Sequence, residues 1–125
     1  MKPRLWLWGP VAAMMAALFV ASSIPNLHRI PGGFSDKTAH FWAYALLGLL
    51  ALRAVAGGTW RAVSGRAAAL GWLIAVTYAV TDEVHQAFVP GRSPSWEDWV
   101  ADALGAAIAV AAALGVRRLR AGRAV

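Results

Sequence analysis

The sequence predicts an all-α integral membrane protein, a four-helix bundle with short connecting loops. Of its 125 residues, 59% are hydrophobic and only 14% are charged, which leaves too little polar surface to cover a soluble domain of this size. The apolar residues fall into four runs, each close to the ~20 residues that a helix needs to cross a bilayer. Alanine and leucine dominate these runs without strict alternation, which favours helices over strands.

The first two predicted spans cover about residues 5–24 and 38–56. Pro25 and the Pro-Gly-Gly cluster at 31–33 end the first span, and the glycine pair at 57–58 ends the second. Proline and glycine interrupt helices and favour turns, so these positions mark the first loops of the bundle.

The third and fourth predicted spans cover about residues 67–89 and 99–116. The third span carries a polar insert near its end and stops at Pro90 and Gly91. Because the connections are short, neighbouring helices are expected to form antiparallel hairpins. The four spans together make one domain that covers residues 1–125.

The N-terminal run has a second interpretation. It combines a basic start, an apolar middle and small residues near Ala21 and Ser22, as a signal peptide does. The run is long for a signal core, and its removal would leave three spans, so we interpret it as the first helix of the bundle.

The predicted loops differ in charge. With the N-terminus inside, nine of the twelve basic residues lie on the inner side and three on the outer side. The positive-inside rule then places both termini in the cytoplasm, and the excess positive charge faces anionic lipid of the inner leaflet. No soluble basic face remains for a nucleic acid. The inner residues are Lys2, Arg4, Arg53, Arg61, Arg66, Arg117, Arg118, Arg120 and Arg123, and the outer residues are Arg29, Lys37 and Arg92.

Acidic and other polar side chains gather at the predicted outer ends of the last three helices. Spacings of three and four residues place them on shared helical faces, and three such stripes at one depth would meet if the helices form a bundle. We expect them to form one polar binding network. Its predicted members are Asp36, Lys37, His40, Tyr44, Asp82, Glu83, Gln86, Arg92, Ser95, Asp98 and Asp102.

Some of the polar residues at these helix ends, inside and outside the network, have a purely structural interpretation. Ser95 is a good helix N-cap, and Asp98 then lies in the first turn, where the helix dipole favours an anion. Lys37 can extend to the membrane interface. His85 can be an outward-facing interfacial residue.

The structural interpretation does not extend to the deeper acids. Asp82, Glu83 and Asp102 lie too far from the helix ends to act as caps. Ionisable residues inside a membrane usually face the protein interior and pair with one another. We therefore expect these three carboxyl groups to lie within the network.

Three segments make the sequence resemble the VanZ-like family of small bacterial membrane proteins. They are DKTAHFWAY at 36–44, DEVHQAFVPGR at 82–92 and SPSWEDWVADALG at 93–105, in the family's order and at its spacing. The resemblance implies a multi-pass protein of the bacterial cytoplasmic membrane, with the predicted network, apart from Asp102, as the family's polar signature. Asp102 stands where the family usually has Asn. The family takes its name from an accessory protein of glycopeptide (teicoplanin) resistance, so the resemblance implies a role at the cell envelope and no particular reaction.

The favoured function is an outward-facing polar pocket that binds or remodels an amphiphile of the outer leaflet. Lys37, His40 and Arg92 suit a lipid phosphate or a carboxylate. The ligand would be an envelope lipid, a lipid-linked precursor or a lipidated glycopeptide. A small transporter or a structural subunit is disfavoured, because the carboxylate stripe does not continue toward the cytoplasmic side.

The alternative function is a membrane-embedded enzyme of the hydrolase or phosphatase type. His40, Asp82 and Glu83 are the candidate catalytic residues, since they supply the groups for acid–base chemistry. No familiar catalytic motif supports this alternative. The expected partner is a membrane lipid or lipid-linked envelope molecule in either case, and a homo-oligomer is compatible with the pattern.

We expect no cofactor and no resident metal. The chain has no cysteine, which excludes thiolate sites. The side chains of Asp82, Glu83, His40 and His85 nevertheless carry oxygen and nitrogen donors that a hard or borderline divalent cation accepts. A metal-assisted form of the enzyme alternative therefore stays open.

Overall fold

A computed structural model of the chain describes residues 2–25 and 36–124. Within these ranges the backbone forms four α-helices and one short 3₁₀ turn, Trp60–Ala62. Each of the four helices is long and apolar enough to cross a membrane, which confirms the predicted fold class. The helices are α1 (Arg4–Ser22), α2 (Asp36–Val55), α3 (Gly65–Gln86) and α4 (Trp96–Arg123).

The helix ends differ from the ends of the apolar runs. Helix α4 begins at Trp96 and continues to Arg123, several residues beyond the predicted span at both ends. Its first turn carries Glu97 and Asp98, and its last turn carries arginines, an arrangement that complements the helix dipole. Hydropathy marks only the apolar part of such a helix, so the polar turns were not included in the predicted span.

Successive helices run antiparallel, as predicted. Tyr44 near the start of α2 contacts Asp82 near the end of α3. Farther along, a Cβ on Gly71 of α3 would lie 2.8 Å from the backbone nitrogen of Leu52 in α2. The starts of α2 and α4 and the end of α3 therefore lie at the same end of the bundle.

Helix α2 lies at the centre of the packing. It packs most extensively on α4 and also contacts α3 and α1. Helix α1 is more peripheral, with only Val11 and Ser22 buried. One of its contacts with α3 is the hydrogen bond from the Tyr78 hydroxyl to the carbonyl of Met15, at 2.6 Å.

Two glycines allow α2 and α4 to approach closely. A Cβ at Gly48 of α2 would lie 3.2 Å from Ala106 of α4, and a Cβ at Gly105 of α4 would collide with the backbone carbonyl of Phe41 in α2. Small residues at such crossings bring membrane helices into backbone contact. The close crossing places the first turns of α2 and α4 side by side.

The opposite end of the bundle is basic. Lys2 and Arg53 both lie over the ring of Trp6, with Nζ and Cζ at 4.1 and 3.7 Å from the ring centroid. Arg53 also donates a hydrogen bond to the Trp6 carbonyl. Near the same end, Arg117 of α4 donates to the carbonyl of Arg61. The acidic residues of the described helices thus lie at one end, and most of the arginines lie at the other.

Candidate functional site

A cluster of buried polar residues lies where α2 and α4 begin and α3 ends. Asp82, Gln86, Asp98 and Asp102 are all buried, and the Asp102 side chain has no exposed surface. Removing a carboxyl group from water is costly unless the group finds partners. Such a cluster inside a membrane protein is therefore a candidate functional site.

His40 and Asp102 join α2 to α4. His40 Nδ1 lies 2.7 Å from Asp102 Oδ1, and the two side chains are 10% and 0% exposed. An ionised Asp102 carboxylate can only accept, and the ring then donates from Nδ1–H. The contact fixes the orientation of the imidazole ring.

Asp82 joins α3 to α2. The Tyr44 hydroxyl donates to Asp82 Oδ2 at 3.2 Å, and the Gln86 amide lies 3.4 Å from the same oxygen. Tyr44 is completely buried. The predicted stripes on α2 and α3 therefore face each other.

Glu83 connects the end of α3 with the start of α4. Its Oε2 accepts a hydrogen bond from the backbone N–H of Ser95 at 2.9 Å. Ser95 occupies the N-cap of α4 as predicted, but its side chain makes no capping hydrogen bond. The backbone of Ser95, not its hydroxyl, makes the described contact with the site.

The three helices converge on a small group of potential ligand atoms. His40, Glu83 and Asp98 each offer one nitrogen or oxygen atom, and these atoms all lie within 4.8 Å of one another. Asp98 lies one helical turn before Asp102, on the same face of α4. We call His40, Asp82, Glu83, Asp98 and Asp102 the acidic site.

Three carboxylate oxygens of the acidic site are buried without a hydrogen-bond partner among the described residues. They belong to Asp82, Glu83 and Asp102. The indole nitrogen of Trp99 is also buried without a hydrogen-bond partner among the described residues. Buried polar atoms usually have partners, so each of these atoms calls for a partner beyond the described residues, either an ordered water or a ligand.

The remaining charged residues of the predicted network lie on α2 and in the loop before α4. Lys37 is 57% exposed and forms an ion pair with Glu97, with Nζ 3.1 Å from Oε2. Arg92 lies half-buried in the loop before α4 and has an interaction partner. Asp36 begins α2, but its side chain lies outside the described part of the structure.

Among the described residues, His85 contacts helix α1 and not the acidic site. Its Nε2 lies 2.8 Å from the hydroxyl of Ser23, and its ring stacks on Phe19 with the centroids 4.3 Å apart. Both partners belong to the C-terminal end of α1. The structure therefore separates His85 from the acids with which it was grouped as a potential cation ligand.

Trp99 lies near the start of α4, beside the acidic site. It is half-buried, and it lines a hollow of about 280 Å³ together with Glu83 and Ser95. Its spacing of four residues from Ser95 and three from Asp102 is the signal that places it beside the polar stripe of α4. Trp96, by contrast, is exposed as an anchor would be.

An apolar groove runs along α2 and α4, beginning one residue from His40. Its volume is about 600 Å³ and its exposed lining is almost wholly apolar. It lies beside the close crossing of the two helices. The lining residues are Phe41, Trp42, Ala45, Leu46, Leu49, Trp60, Gly105, Ile108, Ala109, Ala112, Ala113 and Val116.

The acidic site is equipped for three kinds of chemistry. Its carboxylates accept hydrogen bonds from hydroxyl or amino groups. His40, oriented by Asp102, has the arrangement of a general base. One imidazole and several carboxylates together also form a set of donors for a divalent cation.

Comparison with known proteins gives one match. A family model described as VanZ/LLP1 matches residues 7–117. The matched range includes every residue of the acidic site and the whole apolar groove. No curated protein and no solved structure matches the chain significantly.

Proposed function

The chain belongs to the VanZ/LLP1 family, and from this premise we propose that it binds or remodels an amphiphile of the outer leaflet. The amphiphile is an envelope lipid, a lipid-linked precursor or a lipidated glycopeptide. Its headgroup binds at the acidic site, and its hydrocarbon chain lies in the apolar groove. The protein is a multi-pass component of the bacterial cytoplasmic membrane.

The segregation of charge supports this orientation. The basic end of the bundle holds Lys2, Arg53 and the arginines at the end of α4. Under the positive-inside rule this end faces the cytoplasm. The acidic site then opens toward the extracytoplasmic leaflet, where envelope lipids and their precursors are found.

The observation that carries the proposal is that α2 and α4 contribute residues to both the acidic site and the apolar groove. His40 belongs to the acidic site, and Phe41, its neighbour in the chain, begins the groove. Gly105 lies in the groove one helical turn from Asp102. An amphiphile placed along α2 and α4 would lie in the groove with its headgroup toward the acidic site, and a volume of about 600 Å³ is within the usual range for ligand sites.

The test is the identity of the lipids that remain bound after purification in a mild detergent. Leu46→Trp fills the groove, whereas Leu73→Trp alters a position of similar exposure on α3; the two leucines are 47% and 48% exposed. We expect mass spectrometry to find one lipid class enriched with the wild type and with Leu73→Trp. Leu46→Trp should lose that enrichment.

Identical lipid profiles for the wild type and Leu46→Trp would contradict binding in the groove. Bulk membrane lipid in both samples, without enrichment of any class, would contradict the proposal as a whole. Size-exclusion chromatography checks that each variant is monodisperse, so that a lost lipid is not the result of aggregation.

An enzyme on the same class of substrate is the second candidate. The contact between His40 and Asp102 favours it, because a carboxylate that orients an imidazole is a common arrangement in acid–base catalysis. Incubation of the purified protein with the enriched lipid separates the two functions. A product of changed mass that His40→Gln fails to form indicates catalysis, and an unchanged lipid indicates binding alone.

A further inference from the structure

The acidic site brings together donor atoms from three helices. One atom each from His40 in α2, Glu83 in α3 and Asp98 in α4 lies within 4.8 Å of the other two. Ligand atoms around a tetrahedral zinc ion are roughly 3.3 Å apart, given bond lengths of about 2 Å. Binding of one ion would draw the three atoms closer together than they are in the structure.

Asp102 gives an independent indication of a cation. It is completely buried, and its Oδ1 contacts His40 Nδ1 at 2.7 Å. Its Oδ2 has no hydrogen-bond partner within the described residues. A carboxylate on one ring nitrogen is the usual outer partner of a metal-binding histidine, because it orients the other ring nitrogen toward the ion.

Glu83 gives a second indication. Its Oε2 is held by the Ser95 N–H, while its Oε1 is buried and lacks a partner in the described part of the chain. The residue also lines the hollow of about 280 Å³ beside Trp96 and Trp99. Glu83 thus borders both this hollow and the acidic site.

We infer that His40, Glu83 and Asp98 bind a divalent transition-metal ion such as Zn²⁺ or Mn²⁺, with Asp102 as a positioning residue. One imidazole nitrogen and two carboxylate oxygens suit borderline ions of this class. The sequence alone led us to expect no resident metal, and the cation ligands that it left open were Asp82, Glu83, His40 and His85. Only the packing of α2, α3 and α4 brings His40, Glu83 and Asp98 together.

The ion also explains how an acidic pocket receives an oxygen-rich headgroup. Carboxylates repel a phosphate, whereas a bound divalent ion attracts it. Three protein ligands leave a coordination position open, and a phosphate or hydroxyl oxygen of the amphiphile would occupy it. The identity of this last ligand rests on the proposed function, but the binding of the ion does not.

The experiment measures the metal content of the protein purified through an affinity tag without histidine. The protein is stripped with EDTA, dialysed against buffered ZnCl₂ or MnCl₂, and analysed by inductively coupled plasma mass spectrometry. We expect about one equivalent of metal per folded chain. His40→Gln, Glu83→Gln and Asp98→Asn should each weaken binding at least about tenfold.

Two matched variants control for the loss of a histidine or an acid elsewhere. His85→Gln removes a histidine that contacts α1, and Glu97→Gln removes the exposed acid that pairs with Lys37. Both should retain the metal. A wild type that binds no stoichiometric metal, or equal binding by site and control variants, overturns the inference.

Unfolding curves keep the inference testable if a site variant is poorly stable. A bound ion stabilises only the folded state, so added metal should raise the Tm of the wild type and of Glu97→Gln. An unchanged wild-type Tm would contradict the inference. Stoichiometric metal without a selectively bound lipid would support the inference and contradict the proposed function. A selectively bound lipid without metal would support the proposed function and contradict the inference.

Discussion

Asp102 is completely buried although its side chain is acidic, and its contact with His40 shows how the fold accommodates it. Asp82 is accommodated in a similar way by Tyr44 and Gln86. In both residues one oxygen has a described partner and the other has none. A buried oxygen without a partner is costly, so a ligand or an ordered water that pairs with these oxygens would stabilise the fold.

At the residue scale, we expect Tyr44→Phe to destabilise the fold by about 1–3 kcal/mol, because Asp82 then loses a buried hydrogen bond. Asp82→Asn combined with Tyr44→Phe should cost less than the sum of the single changes. Unfolding in detergent, measured for the two single variants and the double variant, checks this. Additive effects would show that the contact contributes nothing to stability.

Asp102→Asn restores the amide that is usual in the family and tests the positioning role at the same scale. We expect the variant to fold and to bind metal about 10–100-fold more weakly, because the partner that orients His40 loses its charge. Competition with a chelator of known affinity measures the change. An unchanged metal affinity would show that Asp102 does not position His40 for metal binding.

At the scale of elements, the crossing of α2 and α4 sets the geometry of the site. Gly105 permits the close contact with the Phe41 backbone, and Phe41 follows His40 directly. A wider crossing would move His40 away from Asp102. The glycine therefore acts on the site through helix packing.

We expect Gly105→Ala to destabilise the bundle by about 1–3 kcal/mol, because the added methyl group has no room. Gly115→Ala is the matched control in the same helix, since a Cβ at Gly115 has no neighbour within 4 Å among the described atoms. The control should be neutral or stabilising, because alanine favours helix more than glycine does. Unfolding measurements on both variants check this prediction. Equal changes in the free energy of unfolding for the two variants would contradict the close contact of α2 and α4 at Gly105.

The sequence was sufficient to predict the four helices and the polar faces on three of them. Apolar length identifies a span, and spacings of three or four residues identify a face. Which neighbour a face meets could not be predicted, because lipid-facing and core-facing residues of a membrane helix are equally apolar. For this reason Lys37 was assigned to the network, and His85 to the potential cation ligands. In the structure Lys37 pairs with Glu97, and His85 contacts the end of α1.

At the scale of the whole molecule, charge is separated along the bundle. The acidic site and the pair of Lys37 with Glu97 lie at one end, and the contact of Arg117 with Arg61 lies at the other. The proposed function requires the first end to face outward. It also requires α2 and α4 to begin side by side at that end.

One cross-linking measurement tests both requirements together. The chain has no cysteine, so a Lys37→Cys, Glu97→Cys pair can be joined by a short bifunctional thiol reagent that does not cross membranes. The matched pair is Arg61→Cys with Arg117→Cys at the basic end. Intact-mass spectrometry distinguishes a single bridging reagent from two separate adducts.

We predict that intact cells give the bridged product for the first pair and no reaction for the second, which becomes bridged only after permeabilisation. Bridging of the second pair alone in intact cells would contradict the proposed orientation. Separate adducts without a bridge at Lys37→Cys and Glu97→Cys would contradict the convergence of α2 and α4, on which the acidic site depends.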